Sequence, residues 1–429
     1  MNNKNKMIDL LKSKVVQVSL GLWIIIGFTV LNNIPFDRFC HDFWAHIEYT
    51  KILVNQHRLP KPGEGFETHQ QPLFYLIASL IAPKALNTNL EFHVNCVRII
   101  SLLFGAFSII VIAWLLNEVT KNKWIQLLTL LFIETTPKFV FIFSVYNNDS
   151  FVTFFSMLIA ALAYKFYKEN NNFYLKLLFV VSILALYSKL SSLLPILCLI
   201  VLCLFQIIKY PDAKMNFKSV EMKIVTALFI SLLSLIPVAI YNHKCIGVYF
   251  PSLDIKGLAY ELKFKPEKTF VAIFTPISLL TDFKDKWNDP LVHPWPHAAS
   301  KKNDYWAFNY LTSVYGEFDF QSPQKLILWV VLLTHLFIYI IALTKIFESG
   351  TGKLAGAVIL LAHLFQIAHV IKNPFSCNMD FRFVAWLYLL WSVLYVKVLK
   401  TQNTWYSRHI SNIMLLGIIF SLYFLFTVY

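Results

Sequence analysis

Asp42, His46 and Tyr49 recur at i, i+4 and i+7 in a polar interval near the start of an otherwise apolar chain. That spacing places them on one side of a helix. Glu67, His69, Gln70, Gln71 and Tyr75 follow in the same interval, and Asn148 and Asp149 form a second polar pair further on. A carboxylate such as Asp42 can act as general base on an acceptor hydroxyl. The plainer reading is an acid at a helix N-terminus, where the dipole favours it, and Asp149 invites the same reading. Three cations also need explaining. Lys189 lies between two apolar runs with no acid nearby in sequence, Arg382 opens a late apolar run, and Arg98 lies near the start of an early one. A cation at membrane depth needs an anion. A lipid phosphate would serve, with Arg forking onto its oxygens and Lys acting as a point charge. The alternative is that Lys189 and Arg382 snorkel to the interface or pair with Asp149 or Asp380, and snorkelling is the readier reading of Arg98.

The elements that must position these groups are membrane-spanning helices. The chain has 429 residues, 57% hydrophobic and 14% charged. Phe, Leu and Ile gather in unbroken runs of about 20, the length of a helix that crosses a bilayer. Outer-membrane barrels would show short alternating strands instead. The fold class is therefore an all-α polytopic membrane protein, read as one integral membrane domain over 1–429. About eleven spans are expected, at 15–33, 93–117, 124–144, 150–167, 175–188, 191–208, 223–242, 325–345, 354–371, 383–399 and 410–428. The basic N-terminus precedes an apolar stretch without a small-residue cleavage site, so it reads as a retained first helix. The first outer loop, 34–89, should carry two surface helices. One covers 42–57, with Phe43, Ile47 and Leu53 on its apolar side, and ends at Leu59-Pro60. The other, about 72–84, starts at Pro72. A second long outer loop spans 243–323 and is rich in Trp, Pro, His and Lys.

The formal charge of +14 would suit a nucleic-acid binder. Its distribution argues otherwise, because Lys and Arg fall mainly in alternate short loops, as a positive-inside topology requires. That topology puts the clusters at 42–49, 67–75, 147–149, 187–189, 243–323 and 378–382 on one non-cytoplasmic face. The six cysteines lack metal-type spacing, and unpaired thiols are expected in preference to a bridge among Cys40, Cys245 and Cys377. His293 and His297 supply two metal-type ligands and no third. His363 and His369, six apart in one helix, read as packing residues.

These residues also carry a resemblance. Asp42, His46, Tyr49 and Leu59-Pro60 match the first outer loop of the GT-C glycosyltransferases, in the group similar to bacterial protein mannosyltransferases and aminoarabinose transferases. His69-Gln70-Gln71-Pro72-Leu73-Phe74-Tyr75 resembles their Gln-Pro-Pro-Leu-Tyr-Tyr motif. Arg98-Ile99-Ile100-Ser101, Asn148-Asp149, Ser188-Lys189-Leu190-Ser191 and Arg382-Phe383 follow in the family's order. Six matches in register over about residues 34–390 mark the superfamily and leave the substrate open. There are departures. The second acid of the family's Asp-Glu pair is Phe43, the double proline is Gln71-Pro72, and the late Tyr is Phe383. If the missing acid holds a divalent metal, Mg or Mn, in relatives, this chain lacks that ligand.

The resemblance implies a glycosyltransferase moving a sugar from a polyprenyl-phosphate donor to a lipid, glycan or protein acceptor, with inversion. Asp42 would be the base, and Asp149 would orient the acceptor or assist Asp42. Arg382, Lys189 and Arg98 would hold the donor phosphate. His46, Tyr49, Glu67, His69, Gln70, Tyr75 and Asn148 would contact substrate. The expected setting is a bacterial inner membrane with the site facing the periplasm or exterior. With no large soluble domain after the last span, acceptor choice falls to the outer loops. A polymerase or ligase of lipid-linked glycans shares this architecture. A transporter or flippase would show midplane charge or paired broken helices. A non-catalytic scaffold is the plainest alternative.

Overall fold

The computed structural model describes residues 8–40, 42–209, 219–250, 305–315, 322–347, 350–372, 376–401 and 404–427. His293, His297 and most of the 243–323 interval lie outside them. In chain order the principal helices are α1 (Lys14–Asn33), α2 (Phe43–Gln56), α3 (Leu73–Leu80), α4 (Leu90–Val119), α5 (Lys123–Glu134), α6 (Pro137–Ile142), α7 (Asp149–Glu169), α8 (Asn172–Ser188), α9 (Leu193–Lys209), α10 (Val220–Leu233), α11 (Ile236–Ile246), α12 (Tyr305–Tyr315), α13 (Ser322–Thr344), α14 (Thr351–Lys372), α15 (Tyr388–Leu399) and α16 (Thr404–Thr427). No strand occurs among the described residues.

Nine helical stretches among the described residues are long and apolar enough to cross a membrane, and α8 is a shorter apolar helix. The fold is thus the expected polytopic helical one. The expected third span, 124–144, is not a single helix. Thr135 and Thr136 interrupt it, and Pro137 opens α6. Proline has no N–H for the preceding turn and suits the first helical position, so the run breaks there. Pro237 does the same between α10 and α11, with Ser234 and Leu235 at the break. The second surface helix, expected to about 84, ends at Leu80, and a single turn, Ala85–Thr88, follows. Gly247 closes α11 at φ 74, a left-handed value that suits a residue without Cβ.

Side chains say what surrounds the bundle. α1 buries Trp23, Ile26 and Val30 yet exposes Ile24, Ile25 and Phe28. A helix apolar on both its packed and its open side belongs in lipid. Short polar caps set three of the turns between helices. Asn122 accepts hydrogen bonds from the N–H groups of Trp124 and Ile125, Asn171 from Phe173, and Ser219 from Met222. Each cap satisfies helix donors that lipid could not.

The described residues divide between two compact units. One lies within Phe36–Phe104 and Val145–Leu262, the other within Met1–Pro35, Gly105–Ser144 and Lys263–Tyr429. In the first, α7 packs on α8, α8 on α10, and α2 on α3. Its core joins Phe74 to Tyr146 and Phe151, with ring centroids 5.4 Å apart in each pair. In the second unit α13 packs on α16, α1 on α5, and α14 on α15. Trp23 meets Phe139 edge to face at 5.6 Å. A Cβ on Gly105 would collide with the Trp23 indole, so glycine sets how closely α4 approaches α1.

Candidate active site

In the first unit three segments far apart in sequence meet around Tyr146. The Cys40 thiol donates to the Tyr146 carbonyl at 2.9 Å, and the Phe43 ring lies 6.1 Å from the Tyr146 ring. The Tyr146 hydroxyl bonds Thr50 at 2.8 Å and lies 3.4 Å from His93 Nε2. Two residues on, Asn148 donates through Nδ2 to Gln70 Oε1 at 3.4 Å. The Asp42 loop, the Gln70 turn and the Asn-Asn-Asp turn are thereby one structure.

Asp42 precedes α2 with φ 55 and ψ 31, and its side chain is exposed and makes no capping hydrogen bond. A left-handed conformation is one that Asp tolerates better than most residues. The Asp42 carbonyl accepts the first helical bond, from the His46 N–H at 3.0 Å, but the exposed Asp42 side chain does not share the buried face of His46 and Tyr49 that the spacing predicted. His46 and Tyr49 lie within α2 and are buried. His46 Nδ1 bonds the Tyr75 hydroxyl at 2.8 Å, and Tyr49 stacks on Tyr75 at 3.7 Å with ring planes 7° apart. Tyr49 also donates to the Gln70 carbonyl at 3.5 Å. These aromatic groups are spent on one another, so they form the wall behind the Gln70 turn. Burial pushes the phenols of Tyr49, Tyr75 and Tyr146 up, and near Tyr75 the Glu67 carboxylate adds to the effect.

Glu67 is buried beside that wall. His69 is half-buried, and its Nδ1–H donates to the Phe66 carbonyl at 3.0 Å. Asn148 is fully buried and caps α7 without a side-chain capping bond, and its Oδ1 has no hydrogen-bond partner among the described residues. Asp149 opens α7. Its N–H donates to Asn147 Oδ1 at 3.0 Å, and its Oδ1 lies 2.6 Å from Lys189 Nζ. Lys189 is an extended residue between α8 and the 3-10 turn Leu190–Ser192. Lys189 thus pairs with Asp149. Arg98 is buried within α4 and does not reach the surface, and it donates to Asn95 Oδ1 at 2.9 Å.

Arg382 belongs to the other unit. It is half-buried on the 3-10 segment Phe381–Leu387, with its guanidinium 5.3 Å from the Phe383 ring centre. Asp380, the other acid considered for Arg382, binds Lys138 in a buried pair at 2.9 Å. The Arg382 main-chain N–H also donates to Asp380, at 2.6 Å.

Several of these partners escaped sequence reading. Thr50 sits four residues after His46 and could have been found by helical spacing. Tyr146 adjoins the Asn-Asn-Asp turn but reads as the end of an apolar run. Lys138 was hidden in the same way, inside Pro-Lys-Phe-Val-Phe.

Among the described residues, the groups around Asp42 and Asp149 do not gather the ligands of a divalent metal. Phe43, a buried ring, stands where a second acid would adjoin Asp42, and Asp149 is engaged by Lys189. No three His, Cys, Asp or Glu side chains gather among the described residues. Cys40, Cys96, Cys198, Cys203 and Cys245 form no disulfide with one another among the described residues.

Residues 85–246 match the family described as dolichyl-phosphate-mannose-protein mannosyltransferase. The chain resembles the GT-C glycosyltransferases. The matched stretch contains Arg98, Asn148, Asp149 and Lys189, and it ends before Arg382 and begins after Asp42. The match supports a glycosyltransferase reading of the chain, whose long apolar helices are those of an integral multi-pass membrane protein. The comparison with curated proteins gives no match.

Proposed function

We propose that the chain moves a single sugar, of the mannose type, from a polyprenyl-phosphate carrier to an acceptor hydroxyl at the non-cytoplasmic face of a bacterial inner membrane. The observation that carries this reading is the meeting of the Asp42 loop, the Gln70 turn and the Asn148-Asp149 turn around Tyr146. It joins an uncapped carboxylate, a buried amide carbonyl and a paired carboxylate within one unit.

Asp42 accepts the acceptor's proton as that oxygen attacks the anomeric carbon. The bond from that carbon to the phosphate oxygen breaks, and the polyprenyl phosphate leaves with the electron pair. One base and one direct displacement invert the anomeric centre. The developing phosphate charge is met by fixed cations, which need no reorganisation as the reaction proceeds. Lys189 is the cation at the Asn148-Asp149 turn, and Asp149 orients it. Arg382 is the phosphate contact that the resemblance names, and it is tested on its own. The description of the matched family names a protein acceptor, so a Ser or Thr hydroxyl is tried first and lipid and glycan hydroxyls next.

The test is a transfer assay on purified protein in lipid. Radiolabelled polyprenyl-phosphate sugars are offered to wild type and Asp42→Asn, with EDTA as a further arm. Transfer by wild type alone supports the reading. Equal transfer by both removes Asp42 from the mechanism. No turnover of any monosaccharide donor, with turnover of lipid-linked oligosaccharides, replaces it with a polymerase or ligase.

A further inference from the structure

Lys138 is 2% exposed and Asp380 fully buried, in the unit that carries Arg382. Lys138 Nζ lies 2.9 Å from Asp380 Oδ1 and 3.1 Å from Oδ2, so the ammonium straddles the carboxylate. An ion pair at such depth is poor evidence of stability, since desolvation offsets much of the attraction. Its use lies in what else the carboxylate holds. Asp380 Oδ1 also accepts the Arg382 main-chain N–H at 2.6 Å.

The preceding main chain is gripped in the same manner. Gln366 on α14 donates through Nε2 to the carbonyls of Asn378, at 3.1 Å, and Asp380, at 2.9 Å. Asn309 on α12 donates to the Met379 carbonyl at 2.9 Å, and Thr312 Oγ1 accepts the Phe381 N–H at 2.9 Å. Gln366 is itself fixed, because its Oε1 accepts from the Tyr305 hydroxyl at 2.8 Å and from Asn309 at 3.2 Å. The Tyr305 proton is committed to Gln366, so the 2.9 Å contact to His363 Nδ1 makes that nitrogen the donor. Four consecutive residues before Arg382 are thus held by side chains from α12 and α14, with Lys138 on α6 locking the last acid. A connecting loop needs no such fixing. A loop that presents a long, flexible Arg to a ligand does, because misplacement by about 1 Å can cost 100-fold.

We propose that Lys138 is a positioning residue for Arg382. Through Asp380 it fixes the main chain from which the guanidinium reaches the phosphate of a polyprenyl-phosphate ligand, with Gln366 as second anchor. This rests on the reading of Arg382 as a phosphate contact.

Binding of a short-chain polyprenyl monophosphate to the purified full chain tests the inference without turnover. The proteins compared are wild type, Arg382→Ala, Lys138→Met, Lys138→Arg, Gln366→Leu and the double variants with Arg382→Ala, each checked by thermal unfolding. Arg382→Ala should raise Kd about tenfold, the loss expected of one charge-assisted hydrogen bond. Lys138→Met should match it, Lys138→Arg should restore most of the affinity, and Lys138→Met in the Arg382→Ala background should cost nothing more. If Lys138→Met does not fold, Gln366→Leu decides by the same comparison. Wild-type affinity in a folded Lys138→Met, or equal losses with and without Arg382, would overturn the inference. Wild-type affinity in Arg382→Ala would overturn it too. A wild type that binds the lipid phosphate but transfers no sugar would sink the proposed reaction and leave the positioning role standing.

Discussion

Lys189 and Asp149 are joined at 2.6 Å with their side chains 13% and 5% exposed, forty residues apart in sequence. This pair ties the turn that opens α7 to the break after α8. Removing one partner strands a largely buried charge, which typically costs about 3–5 kcal/mol. Lys189→Met and Asp149→Leu are each expected to lower the thermal stability clearly. The double variant should lose less than the sum of the two, measured by thermal unfolding in detergent. Strictly additive losses would show that the two residues act separately.

Tyr75 is held by two contacts that can be removed one at a time. Tyr75→Phe keeps the stack on Tyr49 and deletes only the hydrogen bond to His46. A buried imidazole left without its partner should cost about 1–3 kcal/mol. Tyr75→Leu removes the stack as well, adding roughly 0.5–1.5 kcal/mol for the ring pair beyond the lost burial. Unfolding midpoints for the two variants should therefore fall in that order. Equal losses would mean that the stack contributes nothing.

Much of this was open to sequence reading, and the failures have common causes. Spans were legible because lipid demands long apolar runs, whichever neighbours they meet. Pro137 broke one of them, since an apolar run says nothing of a missing N–H. The Asp42, Gln70 and Asn148 segments were each visible as polar interruptions, but their convergence depends on Tyr146, whose side chain is as apolar as its neighbours until its hydroxyl finds Thr50. Lys138 and Asp380 lie 242 residues apart, and periodicity carries no information at that range. Lys189 showed the limit from the other side, because its isolation in sequence hid a partner that folding supplied.

Alkaline pH offers a test of the aromatic wall. Burial, followed by the neighbouring Glu67, Tyr49, Tyr146 and Asp149, keeps the Tyr75 phenol well above its ordinary value of 10. The folded state therefore holds a proton that the unfolded chain releases above pH 10. Stability from this source is complete below pH 10 and is lost as pH rises through the folded value. The thermal midpoint should fall between pH 9 and 11, and the fall should shrink in Tyr75→Phe. An ultraviolet titration showing all tyrosines ionising near pH 10 in the folded protein would contradict the burial.

Asn148 offers a way to tell function from support. Its Oδ1 is buried with no hydrogen-bond partner among the described residues, while its Nδ2 spends one weak bond on Gln70 at 3.4 Å. An unsatisfied buried carbonyl oxygen costs about 1–3 kcal/mol, so a group retained only for stability would be a poor choice here. Asn148→Ala removes that oxygen together with the weak bond, and the two effects oppose each other. Its thermal midpoint should stay near that of wild type or rise. If the oxygen serves a sugar hydroxyl, the same variant should raise the donor KM about tenfold, the net worth of one ordinary hydrogen bond. Gln70→Ala, which frees the Asn148 amide to turn, should raise KM by less. A stability loss in Asn148→Ala with an unchanged KM would make the residue a structural cap of α7 and remove it from the site.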